Sequence, residues 1–225
     1  MKHRAIYGTT QSGKTTTEKI LLRSESPSRL LIVDPDEDYE PGDSIEVRCY
    51  TLEELDAYLS GVRPSTPFSA SIVPDIGMES EVASIVASYA WELENVRLVI
   101  DEAETCLSSA RLAKRPELGQ NVWRCVKRGL KRGVEVDVIG QRIVDVAPII
   151  RSETSGHETY YLRLRGGGCL REIRSDHPGS GLDRYVHELH NYQMLRVPVS
   201  GDIERWNIVD NGARLMKVGT IGGEA

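Results

Sequence analysis

Hydrophobic positions along the chain follow two alternating patterns. Short apolar runs bounded by turn residues occur at Arg4–Tyr7, Arg29–Val33, Ser44–Tyr50, Ser69–Val73, Val96–Ile100, Val134–Ile139 and Thr159–Arg165. Each reads as a buried strand. Between them, apolar residues recur at helical spacing over Lys14–Leu22, Leu52–Leu59, Ser80–Glu92 and Gln120–Lys131. Thr51, with Glu54 three residues later, has the form of a capping box and starts the second helix at Leu52. Strands alternating with helices of this length predict crossover connections. The expected fold is α/β, a mostly parallel central sheet with helices on both faces.

After Arg165 the pattern changes. Gly166, Gly167 and Gly168 separate Tyr160–Arg165 from Leu170–Ile173, which reads as a hairpin turn or a flexible loop. A turn-rich stretch at Asp176–Gly181 follows, then a short helix near Leu182–His190. Tail strands are expected at Gln193–Val199, Trp206–Val209 and Arg214–Val218. The tail is too short and too poor in apolar residues to fold alone. We divide the chain into a core, residues 1–174, and a C-terminal extension of the same domain, residues 175–225. The extension adds strands to the sheet edge or docks on a neighbouring subunit.

Composition narrows the class. With 225 residues and 40% hydrophobic side chains, the chain can bury a core, which excludes wholesale disorder. No apolar stretch approaches the roughly 20 residues that span a bilayer. The N-terminus runs from Met1-Lys2-His3-Arg4 straight into a strand, without the apolar region of a signal peptide, so no secretion is expected. Cys49, Cys106, Cys125 and Cys169 are widely spaced and read as free thiols in a reducing compartment. His157, His177, His187 and His190 form no metal pattern, and Trp91, Trp123 and Trp206 read as core or interface anchors. The net charge of −6 argues against a simple basic coat for nucleic acid, but the charge is uneven. Residues 1–110 carry 9 basic and 20 acidic side chains, whereas residues 111–174 carry 14 and 7.

The strongest chemical signal is a phosphate-binding loop. Gly8-Thr9-Thr10-Gln11-Ser12-Gly13-Lys14-Thr15-Thr16 satisfies GxxxxGK[ST], with a strand before it and a helix after it. Glycines let the backbone wrap an anion, and the helix N-terminus adds its positive dipole end. Lys14 is then expected to reach the β- and γ-phosphates of ATP, and Thr15 to hold Mg²⁺. A partner strand, Val96–Ile100, ends in Asp101-Glu102. Asp101 is expected at Mg²⁺, and Glu102 is the expected general base for an attacking water, with Glu104 next in order. A third strand ends in Gly140-Gln141-Arg142. Gln141 is expected to sense the γ-phosphate; the alternative is a helix-capping glutamine.

Taken together, these residues resemble the FtsK–HerA superfamily of DNA-pumping ATPases. Four places carry the resemblance: the phosphate loop; Leu31-Ile32-Val33-Asp34-Pro35 followed by Asp38-Tyr39; Leu98–Glu104; and the basic, glycine-containing Lys127–Gly133 leading into the strand that closes on Gln141-Arg142. Within that superfamily the chain looks most like the compact genome-packaging ATPases of membrane-containing icosahedral viruses. The resemblance implies a RecA-like P-loop NTPase of the additional-strand catalytic-glutamate class. It also implies a ring, often hexameric, that pushes double-stranded DNA through a capsid vertex. The implied place of action is the host cytoplasm or, virion-associated, the packaging vertex, and no membrane insertion is expected. Leu130 and Ile143 depart from the family pattern, which often has arginine and proline there. The family's arginine finger from a neighbouring subunit has two candidates here, Arg151 and Arg163. Arg111, Lys114 and Arg115, on an expected loop broken by Pro116, are candidates for contact with DNA phosphates. The other readings are a cellular or plasmid DNA pump of the same superfamily, a nucleotide-binding assembly module without translocation, and a small-molecule kinase.

Overall fold

A computed structural model describes residues 2–221 apart from Asp43, Pro64 and Gly156. The last four residues of the expected extension, 222–225, lie outside the described residues. Ten strands form one sheet: β1 (Arg4–Tyr7), β2 (Arg29–Val33), β3 (Val47–Cys49), β4 (Phe68–Ile72), β5 (Arg97–Ile100), β6 (Glu135–Gly140), β7 (Glu158–Leu162), β8 (Gln193–Val197), β9 (Ile203–Val209) and β10 (Arg214–Ile221). Their spatial order is β10-β9-β8-β7-β1-β6-β5-β2-β4-β3. The first seven in sequence pair in parallel, and β8, β9 and β10 add to the β7 edge antiparallel. β6 stands between β1 and β5, so the strand leading to the phosphate loop and the strand ending in Asp101 are not neighbours.

Among the described residues, nine α-helices connect or cover the sheet: α1 (Lys14–Glu25), α2 (Leu52–Ser60), α3 (Glu79–Leu93), α4 (Ala103–Cys106), α5 (Ser109–Lys114), α6 (Glu117–Arg128), α7 (Pro148–Ser155), α8 (Gly167–Asp176) and α9 (Leu182–Glu188). None of the described helices is long and apolar enough to cross a membrane. Strand alternation divides the core in two. Ala5, Tyr7, Leu31, Val33, Leu98 and Ile100 face a larger cluster built with α2, α3, α6, α7, α8 and α9. Ile6, Leu30, Ile32 and Val99 face a smaller cluster with Ile20, Leu21 and Leu22 of α1, and Ile208 of β9 joins them. Both faces are covered, unequally. At Thr51 the capping box forms as the spacing predicts, with Glu54 N–H donating to the Thr51 hydroxyl at 3.1 Å.

Three local expectations are corrected. Gly166–Gly168 makes neither a hairpin turn nor a loop to a further strand; Gly167 opens α8. Cys169 and Ile173, four residues apart, are buried on one helical face, and this outweighs the low helix propensity of the glycines. Residues 111–116 are not one loop, because Arg111 and Lys114 lie on α5. Pro116 separates α5 from α6 and stands at the start of the latter, where a missing N–H leaves no bond unmade. α7, which begins at Pro148, was not expected from the pattern at all.

His3 shows how the core limits titration. The ring is fully buried, accepts a hydrogen bond from Val136 N–H at Nδ1 (3.0 Å) and meets His157 edge-on. Burial, aided by His157, pushes its pKa down to about 4. A depressed histidine adds stability that is complete above its unfolded value near 6.5 and is lost as pH falls toward 4. Stability to heat should therefore fall as pH is lowered between those limits, by on the order of 3 kcal/mol from this group. His3→Gln should flatten the slope there; an unchanged slope would remove the assignment.

Candidate active site

β1 ends at Tyr7 and the chain turns into the phosphate loop, with α1 starting at Lys14. The loop is strapped to the tips of two flanking strands: Gly8 N–H donates to Gly140 O (3.1 Å) and Thr9 N–H to Arg163 O (2.9 Å). Gly8 is required by space, since a Cβ would lie 2.8 Å from Leu162 Cβ. Gly13 is required by conformation, at φ 101°. Gln11 shares the left-handed region at φ 61°. Thr10 and Gln11 stand at the rim, Ser12 is buried, and Thr16 looks toward the returning C-terminal strands.

The acidic strand brings its residues to this loop. Lys14 is buried, with its Nζ 4.0 Å from Glu102 Oε1. Gln141 Nε2 donates to both Glu102 oxygens (3.1 and 3.0 Å), while Gln141 Oε1 accepts from the Thr10 hydroxyl at 2.6 Å. The glutamine thus ties the expected base to the phosphate loop, and it caps no helix. Glu102 itself sits at φ 46°, uncommon for a residue with a side chain, and its N–H is held by Asp101 Oδ1 at 2.8 Å. Lys14, Asp101, Glu102 and Gln141, spread over 128 positions of sequence, are brought together at the ends of β1, β5 and β6.

Two acids extend the site beyond the motif residues. Glu104 accepts the Gln141 backbone N–H on both oxygens (3.0 and 3.1 Å), which fixes the tip of β6. Burial, then the nearby Glu102 charge, raises its pKa to about 7. Asp38 shares the Thr15 hydroxyl with Asp101, at 3.2 and 3.4 Å respectively. Asp34 shapes this corner by accepting the N–H groups of Asp38 and Tyr39 (2.9 and 3.0 Å). The sequence signal for Asp38 is weak: an acidic loop directly after an apolar strand. Asp101 is buried, and burial raises its pKa to about 7. The hydroxyl and the two carboxylates are hard oxygen donors, and among the described residues no cation is in salt-bridge contact with the buried Asp101. This donor set fits a magnesium ion.

The side chains of the remaining candidates are turned to other partners, or to solvent. Arg151 donates to Ile143 O (3.2 Å) and pairs with Glu172 (2.8 Å). Arg163 donates to Asn191 Oδ1 at 2.8 Å, beside its own phosphate loop. Both arginines expected as the trans finger are engaged within their own chain. Arg111 pairs with Glu81 (2.6 Å) and Glu79 (3.5 Å), and Arg115 with Glu81 (2.5 Å) and Glu117 (3.0 Å). Lys114 is exposed, and no carboxylate pairs with it among the described residues.

No protein-family model matches the chain, and no curated protein matches it in sequence. Solved structures do match in fold. The genome-packaging NTPase B204 of Sulfolobus turreted icosahedral virus 2, in complex with sulfate, superposes with a TM-score of 0.66 at 17% identity, over 91% of this chain and 94% of that one. B204, the DNA-packaging ATPase of Sulfolobus turreted icosahedral virus, gives 0.62 at 17% identity, with 98% of each chain covered. VirB4 of Thermoanaerobacter pseudethanolicus gives 0.61 at 14% identity, over 99% of this chain and 90% of that one. At such identities the likeness is one of fold. The chain has the fold of these proteins along nearly its whole length.

Proposed function

We propose that this protein is an ATP-hydrolysing motor that moves double-stranded DNA into a viral procapsid. The observation that carries the chemistry is the Glu102 carboxylate, held by Gln141 at the mouth of the phosphate loop and 4.0 Å from Lys14. A carboxylate so placed accepts the proton of a water attacking the γ-phosphate. Lys14 and the loop's N–H groups bind the β- and γ-phosphates, and the Gly8–Thr16 segment orients them. Thr15 and Asp101, with Asp38 beside them, would hold Mg²⁺, which when bound neutralises charge on the β- and γ-oxygens. A γ-phosphate entering the loop competes for the Thr10–Gln141 hydrogen bond. Phosphate release lets that bond re-form and shifts the tip of β6, a route from hydrolysis to movement.

The packaging assignment is supported by the near full-length likeness in fold to B204. The basic middle of the chain is the proposed DNA-facing part. Of its three candidates, Lys114 carries the uncompensated charge, and the exposed Arg128 and Lys131 also lack carboxylate partners among the described residues. The working form would be a ring, with a hexamer expected, acting in the host cytoplasm and engaging proteins of the capsid vertex. In that ring, Arg151 or Arg163 would have to leave its present partner to serve a neighbour's site. The comparable likeness to VirB4 favours, as a second reading, a DNA pump of cellular or plasmid origin.

The test is the ATPase rate with and without double-stranded DNA, beside the mass of the assembled species. DNA should stimulate hydrolysis severalfold in a multimer of ring mass. Hydrolysis insensitive to DNA in assembled rings would leave a nucleotide-binding assembly module instead.

A further inference from the structure

The C-terminal end of α6 gathers charge that the fold leaves largely uncompensated. Arg124, Lys127, Arg128, Lys131 and Arg132 place five cations within nine positions, and no acidic residue lies between Glu117 and Glu135. Lys127 pairs with Glu153 (2.6 Å) and Arg132 with Glu94 (2.5 Å). Arg124, Arg128 and Lys131 are exposed, and no carboxylate pairs with them among the described residues. Trp91, near the end of α3, orients two of the arginines. The Arg124 guanidinium lies 3.9 Å from the centre of its ring and the Arg132 guanidinium 4.8 Å from it. Arg132 Nε also donates to Trp91 O at 3.3 Å. The chain just after α3 is bent to fit. Glu94 and Asn95 have φ of 55° and 49°, and Asn95 N–H donates to Arg132 O at 2.9 Å. Residues with side chains keep such a φ only where their surroundings impose it, here the tie to Arg132.

We infer that this cluster, organised on Trp91, grips the phosphate backbone of double-stranded DNA. The inference rests on the motor reading and gives it a place of contact. An indole orients a guanidinium without neutralising it, whereas a carboxylate would do both. Arg124 therefore keeps its charge and its planar set of donors, which match the oxygens of a phosphate. The surface also lacks what a protein partner would need. Contacts between proteins centre on apolar side chains that become buried. No large hydrophobic residue is exposed over residues 91–95 or 117–135. Repeating phosphates suit such a surface, because each cation can meet a charge without a shaped apolar pocket. The cluster stands at the starts of β5 and β6, whose far ends lead to Asp101, Glu102 and Gln141. The same two strands thus join the contact with DNA to the site of hydrolysis. Lys114 precedes α6 and the cluster lies at its end, about 18 Å away along a helix of 12 residues. The two places can be tested apart.

The experiment measures binding of the full-length protein to a labelled DNA duplex of mixed sequence, by fluorescence anisotropy across a salt series. The mass of the assembled species is recorded beside it. Arg128→Gln combined with Lys131→Gln should weaken binding by about tenfold at low salt. It should also flatten the slope of log affinity against log salt by about 2. Arg124→Lys keeps the charge but loses the stacked plane, so it should weaken binding by about threefold at an unchanged slope. Lys114→Gln is the comparison at the other end of α6. Full affinity and an unchanged slope in the double variant overturn the inference. If Lys114→Gln then flattens the slope, the contact lies at α5. If the double variant instead loses assembly with its slope intact, the cluster serves a neighbouring subunit's carboxylates. Unaltered affinity in Arg124→Lys would overturn the part given to Trp91. An unaltered protein that binds no duplex at low salt would overturn the motor reading itself.

Discussion

Glu102→Gln is expected to lower ATP turnover by about 10²–10⁴-fold while leaving nucleotide binding in place. The substitution keeps a carbonyl oxygen where Gln141 Nε2 now donates, so the bridge to Thr10 and the loop geometry can persist. It removes the one feature hydrolysis needs there, a carboxylate able to take a proton from water. Lys14 loses a neighbouring charge at 4.0 Å but keeps its buried position, so ATP affinity should hold or rise slightly. Single-turnover hydrolysis beside an ATP titration separates the two effects. Undiminished turnover would refute Glu102 as the base and leave Glu104, whose carboxyl is raised to about 7 by burial and by Glu102, as the next candidate.

Asp137→Ala should destabilise the fold by about 3–5 kcal/mol, because it strands two buried arginines. Asp137 is fully buried in β6, opposite Arg4 of β1 in the parallel register. Its oxygens accept from Arg4 Nε (3.2 Å) and from Arg97 (2.8 Å). Glu25 completes the cluster from α1, 2.7 Å from Arg4 and 3.2 Å from Arg97, and Glu135 also pairs with Arg97. Glu18, fully buried on α1, is pushed well above the ordinary carboxylate range by burial and then by the Asp137 charge. Losing Asp137 would ease the ionisation of Glu18 and return part of the lost pairing. Asp137→Ala combined with Glu18→Gln should therefore cost more than the two changes added separately. For a chain of this size, the single change should lower Tm by about 6–20 °C. A shift of a degree or two would show that the arginines find other partners.

Much of the sheet was legible because its signals are local. β1, β2 and α1 begin where the pattern places them, and the phosphate loop is written in nine consecutive residues. The helices missed or misplaced are those with weak local signals. α7 begins at Pro148, α8 starts in three glycines, and α5 is only six residues long with one buried side chain, Leu112. Each is held by packing onto the larger face rather than by propensity. At the site, the residue types pointed to Lys14, Asp101, Glu102 and Gln141. The hydrogen-bonding of Glu104 to Gln141 and the sharing of Thr15 by Asp38 were not readable. Both depend on loop ends meeting across strands far apart in sequence.

The sequence by itself determined the parallel α/β class, the phosphate loop and the identity of the acids and glutamine beside it. Glycine conformation, helix starts and strand alternation are properties of neighbouring residues, so they can be read in order along the chain. Only the tertiary structure decided that β6 separates β1 from β5, and so brings Gln141 between Thr10 and Glu102. It also decided that Arg111 and Arg115 pair with Glu81, while Lys114 has no carboxylate partner among the described residues. Tyr192 likewise comes to rest against Ser12, 180 positions away, only through the closing of the antiparallel strands onto the β7 edge. Periodicity specifies which face of an element is buried. It does not specify which other element covers that face, and every one of these contacts depends on that choice.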